Sequence, residues 1–197
     1  MELPLVEKAT AEVHRTASEG STVNVDGGVH EIPLPDGCGR LWLCGKHLIG
    51  PDPDGVLDRL GADAVVCLVE RDELADRYPD YVLWLADAPQ ERAVHFPVHD
   101  LSAPDLVSVM PLLERLVARL RDGESLVVHC GAGIGRAGTV AVALLVMLGV
   151  PLQAALDHVR AHRPMAGPEV GSQLALVHAV ADLVAWFGGG TDEVPPG

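Results

Sequence analysis

The sequence is short of positive charge: 14 lysines and arginines stand against 28 aspartates and glutamates, a formal net charge of −14 at pH 7. So acidic a chain excludes nucleic acid and anionic membrane as its main partners, because both demand a basic face. No apolar run reaches the roughly 18 residues that span a bilayer. The start, Met1-Glu2-Leu3-Pro4-Leu5-Val6-Glu7-Lys8, lacks the basic opening and apolar core of a secretion signal. Cysteine is sparse too. Cys38, Cys44, Cys67 and Cys130 form no C-x-x-C pair and no metal-ligand spacing, which reads as reduced thiols rather than a disulfide framework or a metal centre. The expectation is a cytoplasmic protein with no membrane, metal or cofactor.

What the chain does have is a core. Of 197 residues, 48% are hydrophobic, enough for one α/β domain of ordinary size. Its organising stretch is residues 126–139, L-V-V-H-C-G-A-G-I-G-R-A-G-T. Leu126-Val127-Val128 has the length and branching of a buried strand and stops at His129-Cys130. Glycines follow at 131, 133 and 135, and after Arg136 an almost wholly apolar run reads as a buried helix ending at Gly149. In a glycine loop at a helix N-terminus, successive backbone N–H groups can turn inward into a concave anion site. A cysteine at its first position is a favoured thiolate and hence a nucleophile aimed at phosphorus. Arg136, where the loop closes, offers a planar fork for two phosphoryl oxygens.

His-Cys, five residues, then Arg, in this strand-loop-helix context, resembles the signature loop of the cysteine-dependent protein tyrosine phosphatases, and its glycine pattern resembles the dual-specificity and kinase-associated branch. The resemblance runs over residues 39–187. It implies a central, largely parallel sheet of four or five strands flanked by helices. Outside that range, residues 1–38, with Gly27-Gly28, Pro33 and Pro35, read as a partly irregular extension, and 188–197 as a disordered Gly/Pro tail. The resemblance implies Cys130 as nucleophile, Arg136 and the loop Gly131, Ala132, Gly133, Ile134 and Gly135 as the phosphate cradle, and His129 as a support that orients the loop or lowers the thiol pKa. One position departs from the pattern. The family usually has Ser or Thr after the arginine, where the hydroxyl helps release the thiolate, and here stands Ala137; Thr139 is the nearest substitute.

Phosphoryl transfer needs an acid for the departing oxygen. The resemblance implies Asp100 in that role, thirty residues before Cys130 and just after Phe96-Pro97-Val98, where the family carries its aspartate. Asp105 is its rival, but Ser102-x-x-Asp105 reads as a capping box at a helix start. His95 and His99 flank this segment as packed or solvent histidines. Glu70 is either an active-site rim carboxylate or a helix-start residue. Arg160 and Arg163 either add positive potential at the cavity or complement a helix C-terminus. Gln173 stands where related phosphatases carry a glutamine that positions water.

Strands are expected at 41–45, 64–69, 81–85 and 94–98, with 46–51 a loop. Helices are expected at 7–16, 56–60, 105–122, 152–163 and from about Pro168 to Phe187, the last with Val170, Leu174, Val177, Val184 and Phe187 as its core stripe. Lipid phosphatases of the resembled superfamily carry lysines inside this loop to meet several phosphates, and 131–135 hold none, so the resemblance implies a phosphorylated protein or a small phosphomonoester as substrate. Two other classes stay open: a phosphoprotein-binding pseudophosphatase, on account of Ala137, and a rhodanese-like sulfurtransferase, against which Asp100 and Arg136 argue.

Overall fold

The computed structural model describes residues 28–188. Five strands, β1 (Val29–Ile32), β2 (Leu41–Gly45), β3 (Ala64–Cys67), β4 (Ala93–His95) and β5 (Leu126–Cys130), form one sheet in the order β1-β2-β5-β3-β4. The last four run parallel, and β1 is antiparallel to β2. This is the largely parallel α/β sheet expected. The strands β3 and β5 are buried along their whole length, which is why they read as unbroken apolar runs rather than alternating ones.

The helices are α1 (Lys46–Ile49), α2 (Pro53–Leu60), α3 (Arg71–Ala75), α4 (Pro79–Asp87), α5 (Leu106–Arg121), α6 (Gly135–Met147), α7 (Leu152–His162) and α8 (Gly171–Gly188). From Gly135 to Val146 every residue of α6 is buried, and a helix apolar on all sides must be central. It lies on β2 and β5 with α5, α7 and α8 around it, while α2 packs on β3 and α4 on β4. The register aligns the carboxyl ends of three strands, with Cys44 and Cys67 both opposite His129 and Gly45 opposite Cys130. Whatever follows β2, β3 and β5 therefore surrounds Cys130, at the strand ends where open α/β sheets bind ligands.

Several local expectations are corrected. Residues 81–85 are not a strand but lie inside α4. An alternating pattern would put Tyr81, Leu83 and Leu85 on one side, whereas the helix buries Tyr81 and Leu85, four apart, and leaves Leu83 62% exposed. Residues 46–49 make one helical turn. The sheet begins at Val29, within the stretch expected to be irregular. The strand expected over 94–98 ends at His95, yet the N–H groups of Phe96 and Val98 still donate to the Cys67 and Leu68 carbonyls, which carries the chain along β3 to Asp100. Asp105 is itself the cap of α5, accepting from the Ser108 N–H at 3.0 Å, so Ser102 is not the capping residue. The inward stripe of α8 is Gln173, Leu176, Val177 and Val180, with Leu174 and Phe187 exposed; an almost uniformly apolar helix does not declare its phase. The helix expected over 7–16 and the tail after 188 lie outside the described residues.

Candidate active site

Cys130 ends β5 at the floor of an open cavity of about 290 Å³, lined also by Lys46, Glu73, Asp100, Arg136 and Glu169. That volume is at the small end for ligand sites, room for a phosphoryl group and the first atoms of its carrier. Every carbonyl from 131 to 135 is tied down. Gly131 O accepts from the Lys46 N–H (3.0 Å), Ala132 O and Gly133 O from the Arg163 guanidinium (2.9 and 2.6 Å), Ile134 O from the Gly138 and Gly167 N–H groups, and Gly135 O from the Thr139 hydroxyl (2.7 Å). In a planar trans peptide the following N–H points the opposite way, so residues 132–136 present their N–H groups on the side away from these anchors. Gly133 has φ +73°, and a Cβ there would collide with the Cys44 carbonyl; the position needs glycine. Arg163 is buried under the loop, 3% exposed. Its charge reaches Cys130, one of the roles expected from sequence, and beyond that it is a clamp on the loop's outer face. Arg160 is exposed.

The Arg136 side chain is held by Glu73, whose carboxylate takes Nη1 at 2.6 Å and Nη2 at 3.0 Å, and by the Val98 carbonyl at 2.8 Å. Burial opposes the guanidinium charge, but the hydrogen bonds to Glu73 and the nearby Cys130, Glu73 and Asp100 leave its pKa raised, and the same bonds lower that of Glu73. Sequence reasoning missed Glu73. Its only local signal is the Glu70-x-x-Glu73 spacing after β3, which the structure uses as a capping box for α3. Glu73→Gln is expected to loosen the arginine and lower kcat/KM for p-nitrophenyl phosphate by about 10²-fold, the scale of an ångström of misplacement; steady-state kinetics check it.

Asp100 lies with Oδ1 3.1 Å from Arg136 Nη2. Its loop is a tight turn, with the Ser102 N–H and hydroxyl on the His99 carbonyl and Leu101 in the left-handed region at φ +52°. Two contacts pin the turn: His99 Nδ1 to Glu70 Oε2 at 2.9 Å, and the Gln173 amide donating to Ser102 O at 3.1 Å. Glu70 thus caps α3, as a helix-start residue does, and also holds the Asp100 loop through His99. Gln173 does not aim at water from this position. Its Oε1 accepts from the Glu169 N–H at 2.8 Å, so both ends of a 1% exposed side chain are engaged in joining the Asp100 loop to the segment before α8. His95 bonds the Val69 carbonyl.

His129 is fully buried between the Tyr81 hydroxyl (2.6 Å to Nε2) and the Cys130 carbonyl (3.4 Å from Nδ1). Burial pushes its pKa down to about 3, so a neutral ring orients the loop and no imidazolium charge acts on the thiol. The unfolded chain takes up this proton near pH 6.5. Between that pH and about 3 the unfolded state binds more protons, and stability falls as pH falls, by up to about 1.4 kcal/mol per pH unit. Denaturant midpoints at pH 7, 6 and 5 should show a shallower dependence in His129→Gln. Ala137 is buried and offers no hydroxyl, and Thr139 does not replace it, since its own proton goes to Gly135 O. Burial holds Cys44 and Cys67 as thiols with pKa values of about 12. Among the described residues no three His, Cys, Asp or Glu side chains are grouped as a metal site, and no helix is long and apolar enough to cross a membrane.

A cysteine on a glycine loop between a central parallel strand and a buried helix, with the loop's arginine and an aspartate above it, defines the fold and site of the cysteine-dependent dual-specificity phosphatase class. Comparison with known proteins agrees. Residues 54–178 match the family model described as "Swiss Army Knife protein, DSP-PTPase phosphatase domain", and the chain belongs to this family. A pig (Sus scrofa) protein named cyclin-dependent kinase inhibitor 3 is 32% identical over 93 residues, 46% of this chain and 44% of its own length; the human protein of that name is 29% identical over 93. The matched stretch spans less than half the length of these curated relatives. Among solved structures, Tk-PTP in the active form is 30% identical with a TM-score of 0.58, over 75% of this chain and 93% of that one. A kinase associated phosphatase carrying serine for its catalytic cysteine has a TM-score of 0.65 at 22% identity, over 80% and 96% of the two chains, a likeness of fold.

Proposed function

We propose that this protein hydrolyses phosphomonoesters on other proteins through a cysteinyl-phosphate intermediate. The observation that carries the reading is the convergence in one cavity of Cys130, the Arg136 fork seated by Glu73, and Asp100 at 3.1 Å from that fork. In the first step the Cys130 thiolate attacks phosphorus, an S–P bond forms, the P–O bond breaks, and Asp100 gives a proton to the departing oxygen. Water then attacks phosphorus, Asp100 takes its proton and the thiolate leaves. The loop N–H groups and Arg136 stabilise the equatorial oxygens in both steps. A nucleophilic thiol needs reducing surroundings, and the proposal includes the cytoplasm as its setting. Phosphotyrosine and phosphoserine or phosphothreonine are both within it.

The test is hydrolysis of p-nitrophenyl phosphate with reductant and a metal chelator. Turnover should survive the chelator, a phosphoenzyme should be trapped by acid quench, and Asp100→Asn should lower kcat by about 10²-fold or more. The absence of any hydroxyl at Ala137, with Thr139 turned away, favours a second reading: a phosphoprotein-binding pseudophosphatase. Tight phosphopeptide binding with no turnover would establish that one in its place.

A further inference from the structure

The cavity above Cys130 carries more negative than positive charge. Glu73, Asp100 and Glu169 line it with Lys46 and Arg136, and both cations are engaged. Arg136 is held by Glu73 and Asp100, and Lys46 Nζ donates to the Glu73 carbonyl at 2.9 Å and lies 4.0 Å from its carboxylate. Glu169 stands apart. It is exposed and, among the described residues, makes no ion pair. Gln173 fixes its backbone N–H, and its carboxylate lies so close over Gly135 that a Cβ there would collide with it. Gly135 opens α6, so the carboxylate lies at the positive end of that helix, the same end that a phosphoryl group takes.

Two anions cannot share that place at full strength. A phosphoryl dianion entering the loop takes the helix end and drives the Glu169 carboxylate toward the rim, where it needs a cation. Lys46 and Arg136 are not at its disposal. A substrate that brings an arginine or lysine beside its phosphorylated residue supplies one, and the chain's net charge of −14 favours the approach of the same substrate. We propose that Glu169 is a specificity-determining residue that selects phosphoproteins with basic residues flanking the phosphorylated side chain, an inference that rests on the phosphatase reading above. Polyanionic small phosphates and phosphopeptides with acidic flanks are the substrates it disfavours.

The experiment uses the full chain and one phosphopeptide sequence with arginine, alanine or glutamate on both sides of the phosphoresidue, in phosphotyrosyl and phosphothreonyl forms. The protein should prefer the arginine-flanked over the alanine-flanked peptide by about tenfold in kcat/KM, with the glutamate-flanked peptide slowest. Glu169→Gln should shrink the arginine-to-alanine ratio to about twofold or less, and Glu169→Lys should invert the order. A preference that persists undiminished in Glu169→Gln overturns the proposal, as does equal turnover of all three peptides by a protein that hydrolyses p-nitrophenyl phosphate. If p-nitrophenyl phosphate itself is not hydrolysed, the phosphatase reading fails and takes this inference with it.

Discussion

Cys130→Ser is expected to bring p-nitrophenyl phosphate hydrolysis to background, a loss on the order of 10⁵-fold, while the affinity for phosphate stays within a few fold. The reason is what surrounds the side chain. A serine nucleophile requires a neighbouring base to take its proton, and His129, Glu73 and Asp100 are each engaged elsewhere. His129 faces the Tyr81 hydroxyl and the Cys130 carbonyl, with its pKa held at about 3 by burial. Glu73 and Asp100 are turned to Arg136. A thiol is a far stronger acid than an alcohol, so cysteine can serve where serine would need such a base. The phosphate cradle does not depend on Sγ, because its carbonyls are anchored by Lys46, Arg163, Gly138, Gly167 and Thr139. Initial rates and calorimetric titration with inorganic phosphate on the same preparation separate the two effects. A serine variant retaining even about one per cent of the rate would place the nucleophile elsewhere.

That local completeness is also why so much of the site was legible in the sequence. Cys130, the loop and Arg136 are contiguous, and their relation depends on one strand-to-helix turn that glycine spacing announces. Asp100 was singled out because it matches the resembled family's aspartate after Phe96-Pro97-Val98, and the structure brings it to 3.1 Å from Arg136. What was not legible depends on tertiary apposition. Nothing in Arg71-Asp72-Glu73 says that its carboxylate meets an arginine 63 residues on, and nothing in 79–87 says that Tyr81 reaches a histidine 48 residues on. Thr139 and Gln173 were singled out as supports for catalysis, but a hydroxyl inside a helix finds the carbonyl four residues back. A buried amide, for its part, satisfies both of its ends. The misread of 81–85 has the same root. Five apolar residues fit either period, and only the Pro79 start and the burial of residues four apart decide for the helix.

Arg163→Lys is the substitution that separates two physical accounts of one residue, and it is expected to lose most of the activity. From sequence, Arg163 was a source of positive potential near the cavity or a cation at the end of α7. Either role is met by any cation, and lysine would preserve it. In the structure Arg163 is a buried fork. Nε and Nη2 hold the Gly133 and Ala132 carbonyls, and Nη1 reaches Leu43 O, Gly28 O and the Nδ1 of His30 at 2.6 Å. His30 accepts that bond as a neutral ring, its pKa lowered first by burial and then by the Arg163 charge. An ammonium group cannot reach these acceptors in the guanidinium's planar geometry. Lysine then leaves buried loop carbonyls unpaired, and their peptide planes are free to turn, taking with them the N–H groups that bind phosphate. We expect kcat/KM to fall by about 10²-fold. Arg163→Ala, which also removes the charge, should cost about 3–5 kcal/mol of stability and lower Tm by roughly 10 °C. The readout that decides is the lysine variant assayed well below its own Tm. Retained activity would return Arg163 to the role of a charge, whereas a folded, phosphate-blind protein makes it the residue that gives the loop its shape.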